Sequence, residues 1–387
     1  MPALSQRVSR LAPSATMAVQ ARAAELRAEG AQLVNFGIGE PDFNTPDHVK
    51  KAAMRAIREN FTRYTNAGGI PELREAVASK YERDYGAAFE PQSEVMITVG
   101  GKQALFNAAL ALLDDGDEVV LPTPYWVTFP QQAVLCGAEV VPVDPPPDQG
   151  FAITADDVAP ALNERTKLII LNFPNNPSGA IIEREELGKI IELAREHDAY
   201  VISDETYEHF IYDGEPLSAA EFGKDHAIIV GSCSKTYAMT GWRIGWATGP
   251  SEAIKAMEKI QSQSTSNPTS IAQRAAVEAL TFDQSCVSTM IDAYRERRQV
   301  IVDGLNKLPG VSCHMPQGAF YVFPDISEHL NDDVPDATAF STYLLEEAGV
   351  VTVSGLAFGC DGHVRFSYAA SMDEIHEGLE RLQKVLT

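Results

Sequence analysis

The sequence predicts an α/β protein built on a mainly parallel sheet, packed against a second, smaller unit. Three observations carry that expectation. Short β-branched runs alternate with longer helix-patterned stretches between about residues 95 and 250. Polar residues able to do chemistry stand directly after those apolar runs, where ligands of open parallel sheets gather. At 387 residues the chain also exceeds the size that one hydrophobic core usually supports.

In chain order, the strand candidates begin with Glu94-Val-Met-Ile-Thr, Glu118-Val-Val-Leu-Pro and Glu139-Val-Val-Pro-Val. They continue with Lys167-Leu-Ile-Ile-Leu-Asn, Tyr200-Val-Ile-Ser-Asp, Ala227-Ile-Ile-Val-Gly and Arg243-Ile-Gly-Trp-Ala, about seven strands, within the range of large open sheets. Asp144-Pro-Pro-Pro-Asp reads as a stiff surface connector. A charged helical stretch from about Ser285 to Leu308 is long enough to bridge to the second unit. The expected division is a large domain over 48–285 and a smaller one made of 286–387 together with the N-terminal segment 1–47.

Composition limits the function classes. The 54 acidic against 31 basic residues give a net charge of −23, which repels a nucleic-acid backbone, although a local cationic pocket remains possible inside an acidic envelope. Cys136, Cys233, Cys286, Cys313 and Cys360 are scattered and odd in number, with no C-x-x-C spacing, which fits a reduced setting rather than a disulfide framework. The N-terminus lacks the apolar stretch of a secretory signal, and no run of about 18 apolar residues occurs; a cytoplasmic protein without a membrane partner is expected.

The most informative segment is Gly231-Ser-Cys-Ser-Lys235-Thr-Tyr-Ala-Met-Thr-Gly-Trp-Arg243-Ile-Gly, a lysine set among hydroxyls after an apolar strand and followed by an arginine. Alone, such a lysine is usually just solvated. Four further segments accompany it: Gly37-Ile-Gly-Glu-Pro-Asp-Phe, Tyr64-Thr-Asn-Ala-Gly-Gly-Ile-Pro-Glu-Leu-Arg, Phe173-Pro-Asn-Asn-Pro-Ser-Gly and Ser203-Asp-Glu-Thr-Tyr-Glu. With Gly362-His-Val-Arg365-Phe-Ser-Tyr, their order and spacing resemble the class I aminotransferases of the large aspartate aminotransferase family over nearly the whole chain.

That resemblance implies fold type I, pyridoxal 5'-phosphate carried as a Schiff base on Lys235, and an obligate homodimer. Lys235, once released, would also move the proton at the substrate α-carbon. Asp204 would keep the cofactor's ring nitrogen protonated, and Tyr207 and Asn176 would reach its ring hydroxyl. Read alone, Asp204 is an ordinary cap and Asn176 a turn former.

Gly100-Gly-Lys-Gln follows a strand and opens a helix, so Gly101, Lys102 and Gln103 are phosphate-loop candidates, though a simple tight turn explains the glycines as well. The resemblance adds Ser232 and Arg243 to the phosphate, with Ser234 as a further candidate. It brings Tyr64 from the neighbouring subunit and stacks Trp126 on the cofactor ring.

For the substrate, the resemblance gives the α-carboxylate to Arg365, with Asn176 and the Gly39 backbone holding its second oxygen. Lys102 with Ser14 and Thr16 of Pro13-Ser-Ala-Thr would meet a second carboxylate, which favours aspartate with 2-oxoglutarate in a ping-pong transamination giving oxaloacetate and glutamate. Ala12 stands where relatives often carry a basic residue, and Thr206 replaces a common aliphatic one. Prephenate or another amino acid stays open as substrate, and so does a C–S β-lyase using the same lysine. A fused transcription regulator is opposed by the short segment before Gly37, and a dinucleotide enzyme by the lack of Gly-x-Gly-x-x-Gly after any strand; no metal site is expected.

Overall fold

A computed structural model describes residues 5–11 and 15–387, with the backbone alone for residues 15–18. Seven strands form the central sheet: β1 (Val95–Thr98), β2 (Glu118–Pro122), β3 (Glu139–Val143), β4 (Thr166–Asn172), β5 (Tyr200–Asp204), β6 (Ala227–Ser232) and β7 (Gly245–Thr248). Their order is β1-β7-β6-β5-β4-β2-β3. All contacts are parallel except those of β7, which runs antiparallel to both neighbours, so the mainly parallel sheet expected from the alternation is present with one reversed strand. β1, β6 and β7 are buried along their whole length, as suits a sheet covered on both faces.

The register aligns the ends that matter. Asn172 of β4 pairs with Asp204 of β5, and Ser232, the last residue of β6, pairs with Gly245 of β7. These strand ends form one rim, the position at which open sheets bind ligands.

Two apolar clusters flank the sheet, one containing Ile97, Ile169, Val201 and Ile229, the other Met96, Leu168, Ile202 and Ile228, because alternate residues of each strand point to opposite faces. A further cluster unites Val34 and Phe36 with Met290, Tyr294, Phe320, Tyr321, Phe366 and Ile375, and reaches Tyr207 and Phe210. The helix Ser285–Leu305 spans both regions: Val287 packs in the first cluster, whereas Met290 to Leu305 pack in the last. Three short strands in that region, Val353–Ser354, Val364–Ser367 and Tyr321–Val322, form a small antiparallel sheet that carries Arg365. Among the described residues, no helix is long and apolar enough to cross a membrane.

Candidate active site

Each site residue is delivered by a local device. Ser232 ends β6 and caps the helical turn Cys233–Thr236 by accepting from the Ser234 amide at 3.0 Å, which places Lys235 one turn beyond the strand. The Ser232 and Ser234 hydroxyls lie 2.7 Å apart. The helix Gly101–Leu112 starts from Gly100 in the left-handed region at φ 78°. A Cβ on Gly100 would lie 2.6 Å from Nη2 of Arg243, so glycine is what lets the guanidinium approach the helix start. Arg243 itself sits at φ 57° and donates from Nη1 to the Thr240 carbonyl at 2.7 Å.

These elements close around a cavity of about 370 Å³. Its walls include Gly39, Gly101, Lys102, Trp126, Asn176, Asp204, Tyr207, Ser232, Ser234, Lys235, Arg243 and Arg365. The geometry therefore brings together most of the residues expected from sequence. Gln103 is not among them: its side chain donates to Asn107 at 2.7 Å and its amide to the Gly100 carbonyl, which turns it along its own helix. Tyr64 is 92% exposed and stands off the cavity of its own chain. Ser14 lies outside the described residues, as does the side chain of Thr16.

The charges within the cavity are arranged with little neutralisation. Lys235 donates from Nζ to the Gly39 carbonyl, and burial, followed by Arg365 as the next cause, lowers its pKa to about 8. Asp204 is raised to about 6 by burial, opposed by the Thr206 side chain and amide and by Lys235. The Thr206 amide donates to Asp204 Oδ1 at 3.1 Å, and Asn172 donates to the Asp204 carbonyl at 3.0 Å. Lys102 is pushed down by burial and by the like charge of Arg243; its ammonium sits 4.8 Å from the centroid of Trp126. Arg365 donates from Nη1 to Asn176 Oδ1 and from Nη2 to the Gly37 carbonyl, each at 2.9 Å, and burial lowers its pKa. Its Nε is buried with no hydrogen-bond partner.

Several lining residues escaped the sequence reading. Tyr321 and Phe358 line the cavity below Arg365, with ring centroids 4.5 and 5.1 Å from its Cζ. Gln20 and Thr240 also line it. Asn172 had a visible signal, a polar residue ending an apolar run, and Thr206 was noticed only as a departure from relatives. Tyr321 had none, because an apolar-patterned tyrosine reads as core.

The donor set fits a phosphorylated aldehyde. Arg243, two hydroxyls and the first amides of a helix make an anion cradle at one end. An amine of lowered pKa stands where a carbonyl could condense, and a buried carboxylate lies at the end of β5. Arg365, on the wall of the same cavity, offers a guanidinium to a further anion.

Comparison with known proteins agrees. The profile of the family described as Aminotransferase class I and II matches residues 31–382. The chain is 47% identical to an aspartate/prephenate aminotransferase of Thermus thermophilus, over 100% of this chain and 99% of that protein. It is 44% identical to an aspartate aminotransferase of Geobacillus stearothermophilus, over 99% and 98%. Among solved structures, the Thermus thermophilus aspartate aminotransferase with maleate superposes with a TM-score of 0.95 at 47% identity, covering 100% of both chains. A family match over most of the chain, full-length relatives and a cavity built for the cofactor converge: this chain belongs to the class I and II aminotransferases, has their fold type I architecture, and is a transaminase that uses pyridoxal 5'-phosphate.

Proposed function

We propose that the enzyme transfers the amino group of L-aspartate to 2-oxoglutarate, yielding oxaloacetate and L-glutamate. The observation that carries the reading is a single cavity with two cations uncompensated by acidic groups, Arg365 and Lys102, on its walls, matched to a substrate with two carboxylates. Relatives that share the full length are named for aspartate, which supports the same choice. Prephenate, also an acidic oxo acid, is the second reading, favoured by the names of the Thermus thermophilus and Nitrosomonas europaea relatives.

In this reading Arg243, Ser232, Ser234 and the amides of Gly101 and Lys102 hold the cofactor's phosphate, Trp126 covers its ring, and Tyr207 and Asn176 donate to its ring hydroxyl. When bound, the cofactor supplies an aldehyde for the amines and an electron-poor ring that accepts the electron pair of a broken C–H bond. Asp204 keeps a proton on the ring nitrogen; the ion pair so formed holds its carboxyl ionised although burial, only partly opposed by Thr206 and Lys235, leaves it raised to about 6. Arg365 clamps the substrate α-carboxylate through donors that Asn176 and Gly37 orient. Lys102 meets the distal carboxylate. Lys235 Nζ, positioned by the Gly39 carbonyl and able to be neutral near pH 8, takes and returns the proton at the substrate α-carbon. The small unit, 1–47 with 286–387, stands beside the large domain 48–285, and the enzyme works as a homodimer in which Tyr64 reaches the partner's phosphate site.

The test is the visible spectrum of the purified holoenzyme. Aspartate should bleach the cofactor band, 2-oxoglutarate should restore it, and Lys235→Ala should neither form the lysine-linked band nor turn over above about 10⁻⁴ of wild type. A band that aspartate leaves unchanged but that prephenate restores after another amino donor would move the reading to prephenate. Release of pyruvate and thiol from cystathionine would favour a β-lyase.

A further inference from the structure

We infer that Tyr321 is a positioning residue that couples the carboxylate clamp to the cofactor-facing phenol of Tyr207. The inference rests on the assignment of Tyr207 as a donor to the cofactor's ring hydroxyl. Tyr321 is fully buried, and it lies on a strand paired antiparallel with the strand of Arg365. Its hydroxyl is 2.7 Å from that of Tyr207. The Arg365 guanidinium lies 4.5 Å from the centroid of its ring. A Cβ on Gly39, whose carbonyl receives Lys235, would come within 2.9 Å of the same hydroxyl. One side chain thus touches the clamp, the phenol and the loop that steadies the lysine.

The proton arithmetic of the pair gives the coupling a direction. Both phenols keep their protons, since burial raises each well clear of neutral pH. One hydrogen bond joins them, so only one O–H lies between the two oxygens. When Tyr207 donates outward to the ring hydroxyl, Tyr321 must donate inward to Tyr207. Donation into the Tyr207 oxygen polarises that phenol and makes it a stronger donor. The cation over the Tyr321 ring strengthens Tyr321 in turn. A substrate carboxylate on Arg365 compensates that charge and relaxes the chain, so occupancy of the clamp is felt at the ring oxygen.

The experiment is a pH titration of the cofactor's visible band in holoenzyme, free and saturated with maleate as a non-reacting dicarboxylate. Deprotonation of the lysine-linked nitrogen leaves the ring oxygen's negative charge uncompensated, so a stronger donor there favours the deprotonated form. Tyr321→Phe, which keeps the ring, should therefore raise the midpoint by about half to one pH unit, the scale of one neutral hydrogen bond. The change caused by maleate should be smaller than in wild type. In a Tyr207→Phe background, adding Tyr321→Phe should change nothing further. Replacement of Tyr321 by 3-fluorotyrosine, a stronger acid of nearly the same size, should move the midpoint down, and this holds even where the Phe variant folds poorly. Equal midpoints in wild type and Tyr321→Phe, or an undiminished effect in the Tyr207→Phe background, would overturn the role of Tyr321 alone. A wild-type band unaffected by Tyr207→Phe would overturn the assignment of Tyr207 and the coupling with it.

Discussion

The chemistry of single residues here is set by desolvation. Lys235 is brought to about pH 8 chiefly by burial, so its neutral fraction grows as pH rises toward and past that value. The rate at which apoenzyme takes up pyridoxal 5'-phosphate should accordingly climb from pH 6 and level off above about 8, followed by stopped-flow absorbance. A plateau already reached at pH 6 would contradict it. Thr206 has a structural role: its side chain and amide both favour the charged form of Asp204. Thr206→Val keeps the amide and removes the hydroxyl. It should loosen the cofactor about three- to tenfold, the scale of one hydrogen bond, measured as cofactor release on dilution.

At the level of elements, the site depends on turns that only certain residues can make. The proposed phosphate cradle needs Gly100 at φ 78° with Arg243 close behind it. Gly100→Ala should cost about 1–3 kcal/mol in backbone strain alone, since φ 78° with ψ 164° is a region essentially reserved to glycine. It should also push Arg243 aside, lowering cofactor affinity by more than about tenfold, the loss of a charge-assisted contact. Calorimetric binding to the apoenzyme and thermal unfolding would separate the two effects. The parallel alignment of β4, β5 and β6 explains why Asn172, Asp204 and Ser232 share one rim although they stand in three separate segments. The alternation of apolar runs with helices made those strands legible, including the direction of most of them. The reversal of β7 was not legible, because an antiparallel strand on a buried sheet carries the same continuous apolar pattern as its parallel neighbours.

For the whole molecule, the homodimer reading makes a prediction that no single chain can satisfy. Tyr64 is exposed and away from its own cavity. Lys235→Ala should be inactive, and Tyr64→Ala should bind cofactor weakly. Chains of the two variants, unfolded and refolded together, should recover a fraction of active sites, each pairing an intact Lys235 with the other chain's Tyr64. Activity assays on the mixture against each variant alone would read this, and no recovery would mean that Tyr64 serves its own chain or none.

The strand runs, the polar residues that end them, the glycine-led helix start and the lysine segment are all legible along the chain, because each is written in neighbouring residues with a fixed period or turn chemistry. The sequence could not distinguish Gln103 from Lys102, since the turn that aims one side chain into the cavity bonds the other to Asn107. Which residues partner across distance follows from the packed fold alone. Arg365 meets Asn176 across 189 positions, Lys235 meets Gly39 across 196, and Tyr321 meets Tyr207 across 114. The reason is physical: a buried polar group must find a partner, and which one it finds depends on how sheet, small unit and loops pack together rather than on its neighbours along the chain.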